Sequence, residues 1–288
     1  MDNTVSSDRI DQDAALDGKL RSLRNLVKEL GSALVAYSGG VDSAFLVKVA
    51  FEQLSEQVLA VTADSESIPR SELDAACRLA RAIGVRHLVI NTGELKDPLY
   101  IANAPDRCYH CKRTLFVSLT EIARQQGFRF VLEGSNFSDL ADYRPGLKAV
   151  NQFRVRSPLR EAGLTKDEIR TLSKQAGLPT WDKPAAPCLS SRIPYGSAVT
   201  TEKLRRIEAA EAFLRPLGFR ELRVRDYDTA ARIEVPMEDI PRLQSDALFP
   251  QVERKLKELG YQSVIVDPRG FRSGSLNEAI LKDPHGPK

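Results

Sequence analysis

Residues Ser38-Gly39-Gly40-Val41-Asp42-Ser43 constrain this chain more than any other stretch. The apolar run Ser32-Ala33-Leu34-Val35-Ala36-Tyr37 precedes them and reads as a buried strand; Ala44-Phe45-Leu46-Val47-Lys48-Val49-Ala50 follows and reads as a helix. Strand, glycine turn and helix together build an anion seat. Adjacent glycines tolerate unusual φ angles and leave no side chain between backbone and ligand. The first-turn N–H groups of the helix face outward, and its dipole favours negative charge there. Ser38 and Ser43 add hydroxyl donors. The turn lacks the lysine of a G-x-x-x-x-G-K-S/T loop, which excludes a kinase-type nucleotide loop. A plain helix cap after a tight turn is the bland alternative.

The surrounding pattern favours the anion seat. Strands are expected over 57–63, 86–90 and 128–134, with a helix over 69–83 and another opening at Cys108. An earlier helix carries Leu20, Leu23, Val27 and Leu30 on one face; the polar residues before about Asp17 are expected to be mobile. Alternating strands and helices imply an α/β fold, a parallel sheet wound by right-handed crossovers with helices on both faces. Ligands of such sheets sit beyond the carboxyl ends of the strands. Thr62-Ala63-Asp64-Ser65 and Glu133-Gly134-Ser135-Asn136 lie at those ends with the glycine turn, so the three should converge. A helix over 164–176 has Thr165 as its cap and Glu168 completing a capping box.

A length of 288 residues suggests about two domains at ~150 residues each. Pro179, Pro184, Pro187 and Pro194 cluster at the expected boundary, giving a first domain over 18–184 and a second over 185–288. The second reads as a small α+β domain: a helix over 201–214, strands over 221–226 and 230–236, a helical region over 237–259 broken or kinked at Pro250, and a strand over 263–267. The last residues, 283–288, should fray. No apolar run approaches the ~20 residues of a membrane span, and the polar amino terminus has no signal-peptide centre. A cytoplasmic protein with no membrane partner is expected. A net charge of +3 is too weak to argue for nucleic acid, although it suits an anionic small molecule.

Four cysteines remain to be placed: Cys77, Cys108, Cys111 and Cys188. Cys77 shares a helical face with Leu73, Ala76, Ala80 and Ile83 and reads as a small core residue. Cys108-Tyr109-His110-Cys111 opens a helix, where residues three apart face the same way and the dipole lowers thiol pKa. Cys188 lies in the proline-rich crossing. Cysteines of a reducing compartment serve more often as ligands or nucleophiles than as disulfides. Three thiolates make an incomplete tetrahedral shell. His110 could complete it around zinc, an iron–sulfur group could leave one position open for chemistry, or the thiols could be unligated.

The turn matches the S-G-G-x-D-S signature of the PP-loop ATP pyrophosphatases at every specified position. Three further stretches narrow the resemblance: Asp142-Tyr143-Arg144-Pro145-Gly146-Leu147-Lys148-Ala149, Cys188-Leu189-Ser190-Ser191-Arg192-Ile193-Pro194-Tyr195-Gly196 and Asp267-Pro268-Arg269-Gly270-Phe271-Arg272-Ser273-Gly274-Ser275. Together they resemble the LarE family, ATP-dependent sulfur transferases that make the nickel-pincer nucleotide cofactor of lactate racemase. The resemblance runs from about Leu20 to Ile280.

That resemblance implies a pyridinium mononucleotide substrate with two carboxylates. ATP with Mg²⁺ would adenylate a carboxylate, and a sulfur nucleophile would displace AMP to leave a thiocarboxylate. Nucleotide or substrate contacts are expected from Ser38, Gly39, Gly40, Asp42, Ser43, Thr62, Asp64, Gly134, Ser191, Arg192, Arg223 and Arg225. One branch of the family sacrifices the sulfur of a single cysteine one position before Cys188; Pro187 stands there in this chain, and that branch lacks the C-x-x-C. The resemblance is therefore to the other branch, in which Cys108, Cys111 and Cys188 would hold a [4Fe-4S] cluster that delivers sulfide. The sulfide donor is left open, and a homo-oligomer is implied.

The residues themselves leave alternatives. Arg192 and Ser191 could hold a phosphate, or form a turn with a solvated arginine. Arg223 and Arg225 alternate on a strand, as a phosphate clamp or a solvated face. Arg269 and Arg272 sit in a glycine loop suited to anions. Glu211 is expected at the surface, with a metal or substrate contact as the family's alternative, and Trp181 in the core, with pyridinium stacking as its own. Rival functions are a PP-loop transfer-RNA thiolase, an amidating ligase that would not need three cysteines, and a zinc-stabilised nucleotide-binding module.

Overall fold

The computed structural model describes residues 3–141, 145–272, 274 and 276. In chain order the first elements are α1 (Asn3–Leu30), β1 (Ala33–Ala36), α2 (Val41–Leu54), β2 (Val58–Asp64), α3 (Arg70–Ile83), β3 (Arg86–Asn91), α4 (Pro98–Ile101), α5 (Arg107–Gln126) and β4 (Phe130–Leu132). Then follow α6 (Gly146–Gln152), α7 (Pro158–Glu161), α8 (Lys166–Gln175), α9 (Thr201–Leu214), β5 (Arg223–Tyr227), β6 (Ala230–Glu234), α10 (Ile240–Leu243), α11 (Phe249–Glu258) and β7 (Ser263–Val266).

The chain forms two compact units. The first comprises residues 1–65, 70–92 and 111–186; the second comprises 66–69, 93–110 and 187–288. The helix α5 starts in the second and continues in the first.

The first unit holds a four-stranded parallel sheet in the order β3-β2-β1-β4. Its inner strands β1 and β2 are near-continuous apolar runs, as expected of strands covered on both faces. Leu23, Val27 and Leu30 of α1 pack in one core with Ala33 and Val35, with Phe45, Leu46 and Val49 of α2, and with Ile169 and Leu172 of α8. The capping box at Thr165 and Glu168 is present; such caps contribute about 1 kcal/mol. Two sequence expectations need correction. The first helix starts at Asn3 and not near position 18, because nothing between Asn3 and Asp17 is proline or glycine and the apolar stripe that follows seeds it. Trp181 is not a core residue; it is about one-third exposed, under the Lys174 ammonium at 4.6 Å.

The second unit holds a three-stranded sheet, β5-β6-β7, with β5 and β6 antiparallel and β6 and β7 parallel. Ala210 and Leu214 of α9 and Val252 and Leu256 of α11 cover its apolar face of Val224, Ala231, Ile233 and Val264. The helical region over 237–259 is broken between Leu243 and Phe249, and Pro250 stands in the first turn of α11, where its missing N–H has no carbonyl to meet. Among the described residues no helix is long and apolar enough to cross a membrane.

Candidate active site

In the first unit the carboxyl ends of β1, β2 and β4 share one edge of the sheet. The Ser38–Gly40 turn leaves β1 and enters α2. Gly39 has φ 71°, and a Cβ there would stand 2.7 Å from Ala76 Cβ, so only glycine fits. Gly40 is the N-cap of α2 and supplies no side-chain cap. Ser43 ties the turn together: its hydroxyl accepts from Ser38 N–H at 3.2 Å and donates to the Gly40 carbonyl at 3.3 Å, with Ser38 Oγ at 3.1 Å. Gly134, at the end of β4, packs flat on the same turn. A Cβ there would meet Ser43 N at 3.0 Å and Ser43 Cα at 3.2 Å.

Two lysines reach the turn from distant parts of the chain. Lys166 Nζ, from the first position of α8, lies 2.5 Å from Asp42 Oδ2. Lys183 Nζ donates to the Gly39 carbonyl at 3.2 Å and pairs with Glu72 at 2.7 Å. Sequence reasoning missed both. The one signal was negative, a glycine turn of anion-seat pattern with no lysine of its own.

The other predicted residues of this unit are placed as follows. The Thr62 hydroxyl donates to the Tyr37 carbonyl at 2.7 Å, so its 2.8 Å contact with His87 Nε2 requires a proton on that nitrogen. Burial, with the nearby Arg81 charge, holds the His87 pKa below the ordinary value and keeps the ring neutral. Asp64 is bonded by Arg70. Glu133 is buried; it accepts from Lys112 at 3.2 Å, Ser135 Oγ at 2.8 Å and Ser157 Oγ at 2.5 Å. Burial opposes its charge, but the Lys112 ammonium and the two hydroxyls outweigh that and hold its pKa below the usual carboxylate range. Cys77 is half-buried and lies off the Ala76, Leu79 and Ala80 stripe that faces the core. Of Asp142-Tyr143-Arg144-Pro145, only Pro145 is among the described residues.

The second unit collects the predicted arginines around the turn that follows Cys188. Arg192 is fully buried. Its Nε and Nη2 donate to the two Glu211 oxygens at 2.8 and 3.0 Å, while Nη1 donates to the Pro187 carbonyl, the Cys188 carbonyl and Ser191 Oγ. Arg225 makes a fork to Glu234 at 3.0 and 2.7 Å and donates to the Ser191 carbonyl at 2.6 Å. Glu211 also accepts from Val224 N–H at 3.1 Å. The solvated readings of Arg192, Arg223, Arg225 and Glu211 are thereby corrected: all four are buried, because each charge finds partners far along the chain. Arg223 has its pKa pushed down to about 10, by burial first and then by repulsion from Arg192, Arg225 and Arg215 against the attraction of Glu211. It stacks on Phe271 at 5.0 Å. The cluster carries more positive than negative charge, which suits an anion. Arg269 and Arg272 flank the buried Asp267 carboxylate at 3.7 and 4.0 Å.

All four cysteines are free thiols; Cys108 is exposed, and Cys111 and Cys188 are half-buried. Cys108 and Cys111 stand three residues apart at the start of α5. Cys108 and Cys188 both lie within electrostatic reach of the buried Arg107 guanidinium. His110 Nε2 is 3.3 Å from Asp106 Oδ2. The donor set, three thiols with no disulfide, fits an iron–sulfur group in chemistry. Among the described residues, no group of three or more His, Cys, Asp or Glu side chains is drawn together as a metal site.

The glycine turn at the carboxyl edge of a parallel sheet, with the family match over residues 22–135, places the chain among PP-loop enzymes. Residues 22–135 match the asparagine synthase family. The chain is 43% identical, over 93% of its length, to an uncharacterised protein of Synechocystis sp., all of which it covers. It is 38% identical over 93% of its length to pyridinium-3,5-bisthiocarboxylic acid mononucleotide synthase of Lactiplantibacillus plantarum, covering 97% of that protein. An uncharacterised protein of Methanocaldococcus jannaschii is 30% identical over 88% of the chain. The chain belongs to the LarE family of ATP-dependent sulfur transferases.

Proposed function

We propose that this enzyme adenylates a carboxylate of a pyridinium biscarboxylic acid mononucleotide and converts it to a thiocarboxylate, a step toward the nickel-pincer nucleotide of lactate racemase. The supporting observation is the near end-to-end match to the bisthiocarboxylic acid mononucleotide synthase. A substrate carboxylate oxygen attacks the α-phosphorus of ATP, and the bond to the β-phosphate breaks to release pyrophosphate. The turn at Ser38–Ser43 holds the departing anion, with Mg²⁺ neutralising the triphosphate. Sulfide then attacks the carbonyl carbon, the bond to AMP breaks, and the thiocarboxylate remains. No electrons are gained or lost. Arg223 and Arg225, in a cluster of excess positive charge, receive the substrate phosphate.

For the sulfur source, Cys108, Cys111 and Cys188 would hold a [4Fe-4S] cluster, which when bound supplies sulfide at an iron that no residue ligates. Pro187 supports this: the family's self-sacrificing cysteine has no counterpart here. Anaerobically reconstituted enzyme should hold about four irons per chain. It should form AMP and thiocarboxylate from the pyridinium mononucleotide and not from transfer RNA, and Cys188→Ala should lose iron and thiolation together. Full iron content in Cys188→Ala overturns the ligand assignment. AMP formation with transfer RNA alone overturns the substrate.

A further inference from the structure

Arg107 is the residue before the C-x-x-C, and its side chain is buried to within 3% of full enclosure. Among the described residues no carboxylate pairs with it. Its Nη1 donates to Asn103 Oδ1 and, at 2.9 Å, to the carbonyl of Ser190. A buried cation with only neutral acceptors is costly unless negative charge balances it from nearby. Cys188 and Cys108 both lie within electrostatic reach of it.

The anchoring of Arg107 has a second layer. Asn103 sits in the left-handed region at φ 54°, a conformation asparagine tolerates better than most residues. Its Nδ2 donates to the carbonyls of Pro194 and Ser197, both at 2.8 Å, and of Ile193 at 3.3 Å. The Tyr100 hydroxyl meets Ser190 Oγ at 2.6 Å. One guanidinium and one amide therefore stitch the segment before Cys108 to the turn after Cys188, some ninety residues apart in sequence. All of these residues belong to the second unit.

We propose that Arg107 is a positioning residue: anchored by Asn103 and the Ser190 carbonyl, its guanidinium holds the Cys108 and Cys188 turns together. This deepens, and rests on, the reading of both cysteines as cluster ligands.

The test separates the two ideas. In the full chain carrying Cys77→Ser and Cys111→Ser, only Cys108 and Cys188 remain to be joined by a short bis-maleimide, each thiol adding across one maleimide double bond. Arg107→Met, Arg107→Lys and Asn103→Ala should slow that joining by roughly tenfold or more, as expected when a fixed geometry is released. Both bonds come from Nη1, and lysine keeps the charge but not the planar, fixed donor that places it, so Arg107→Lys should recover only part of the rate lost in Arg107→Met. With all cysteines present, Arg107→Met should retain well under half of the wild-type iron and its visible absorption after anaerobic reconstitution. If Arg107→Met fails to unfold cooperatively, the lysine and alanine variants carry the comparison. Wild-type joining rates and iron content in those two variants overturn the proposal. Wild-type enzyme that takes up no iron overturns the cluster reading instead, and the joining rates still decide the role of Arg107.

Discussion

Lys166 Nζ stands 2.5 Å from the Asp42 carboxylate, bridging 124 residues of sequence to reach the glycine turn. Asp42 lies in the first turn of α2, where the dipole already favours an anion. Lys166 and Lys183 thus bring two cations to a turn that has no lysine of its own.

Removing the Lys166 cation should weaken nucleotide binding more than it weakens the fold. Lys166→Met is expected to raise the KM for ATP by about tenfold, in line with ~1.5 kcal/mol for one hydrogen bond to a charged group. Melting temperature should move little, since both partners are partly exposed. Pyrophosphate release at varied ATP gives the answer. An unchanged KM would show that Lys166 serves only Asp42.

The two glycines should separate fold from binding. Gly39→Ala forces both a strained φ and a 2.7 Å collision with Ala76, and it should lower the melting temperature by several degrees, as roughly 2–3 kcal/mol would in a chain of this size. Gly134→Ala brings a methyl to 3.0 Å from Ser43 N without any strained φ. It should displace the turn, costing ATP affinity with a smaller loss of stability. Calorimetric melting and ATP titration of the two variants measure each half. Equal affinity losses with equal stability losses contradict the distinction.

Glu133 predicts a pH dependence. Its pKa is lower in the folded chain than in the unfolded one, because Lys112, Ser157 and Ser135 favour the carboxylate more than burial disfavours it. Its contribution is fully present above the unfolded value near 4.3 and is lost as pH falls through the lower folded value. Thermal melts between pH 6 and pH 3 should show wild-type stability falling more steeply than that of Glu133→Gln. Parallel curves would mean that the Glu133 carboxylate makes no net contribution to stability.

Local pattern exposed the framework of the fold. The apolar run of β1, the glycines after it, the Thr165 capping box and the bounds of α9 each depend on neighbours in sequence, so each was legible there. The same holds for Cys108 and Cys111 at a helix start. What was hidden depends on partners far away. Glu211 looks like a surface residue until Arg192, 19 positions earlier, and the backbone of β5 fold onto it. Lys166 at a helix start and Lys183 among prolines look solvated until Asp42 and Gly39 come within reach. Arg107 offered no signal at all, because a lone arginine before a cysteine is ordinary and its acceptors lie in the proline-rich crossing.

The crowding of Arg223 has a bearing on how the protein lasts in a cell. Its guanidinium is enclosed against three other arginines, and Glu211 is the one carboxylate that favours its charge among the strongest influences on it. An anion settling there would relieve part of that repulsion and, by binding only the folded chain, would stabilise the smaller unit by mass action. Turnover of the enzyme would then follow the supply of its substrate, with starved chains opening and being degraded sooner than occupied ones.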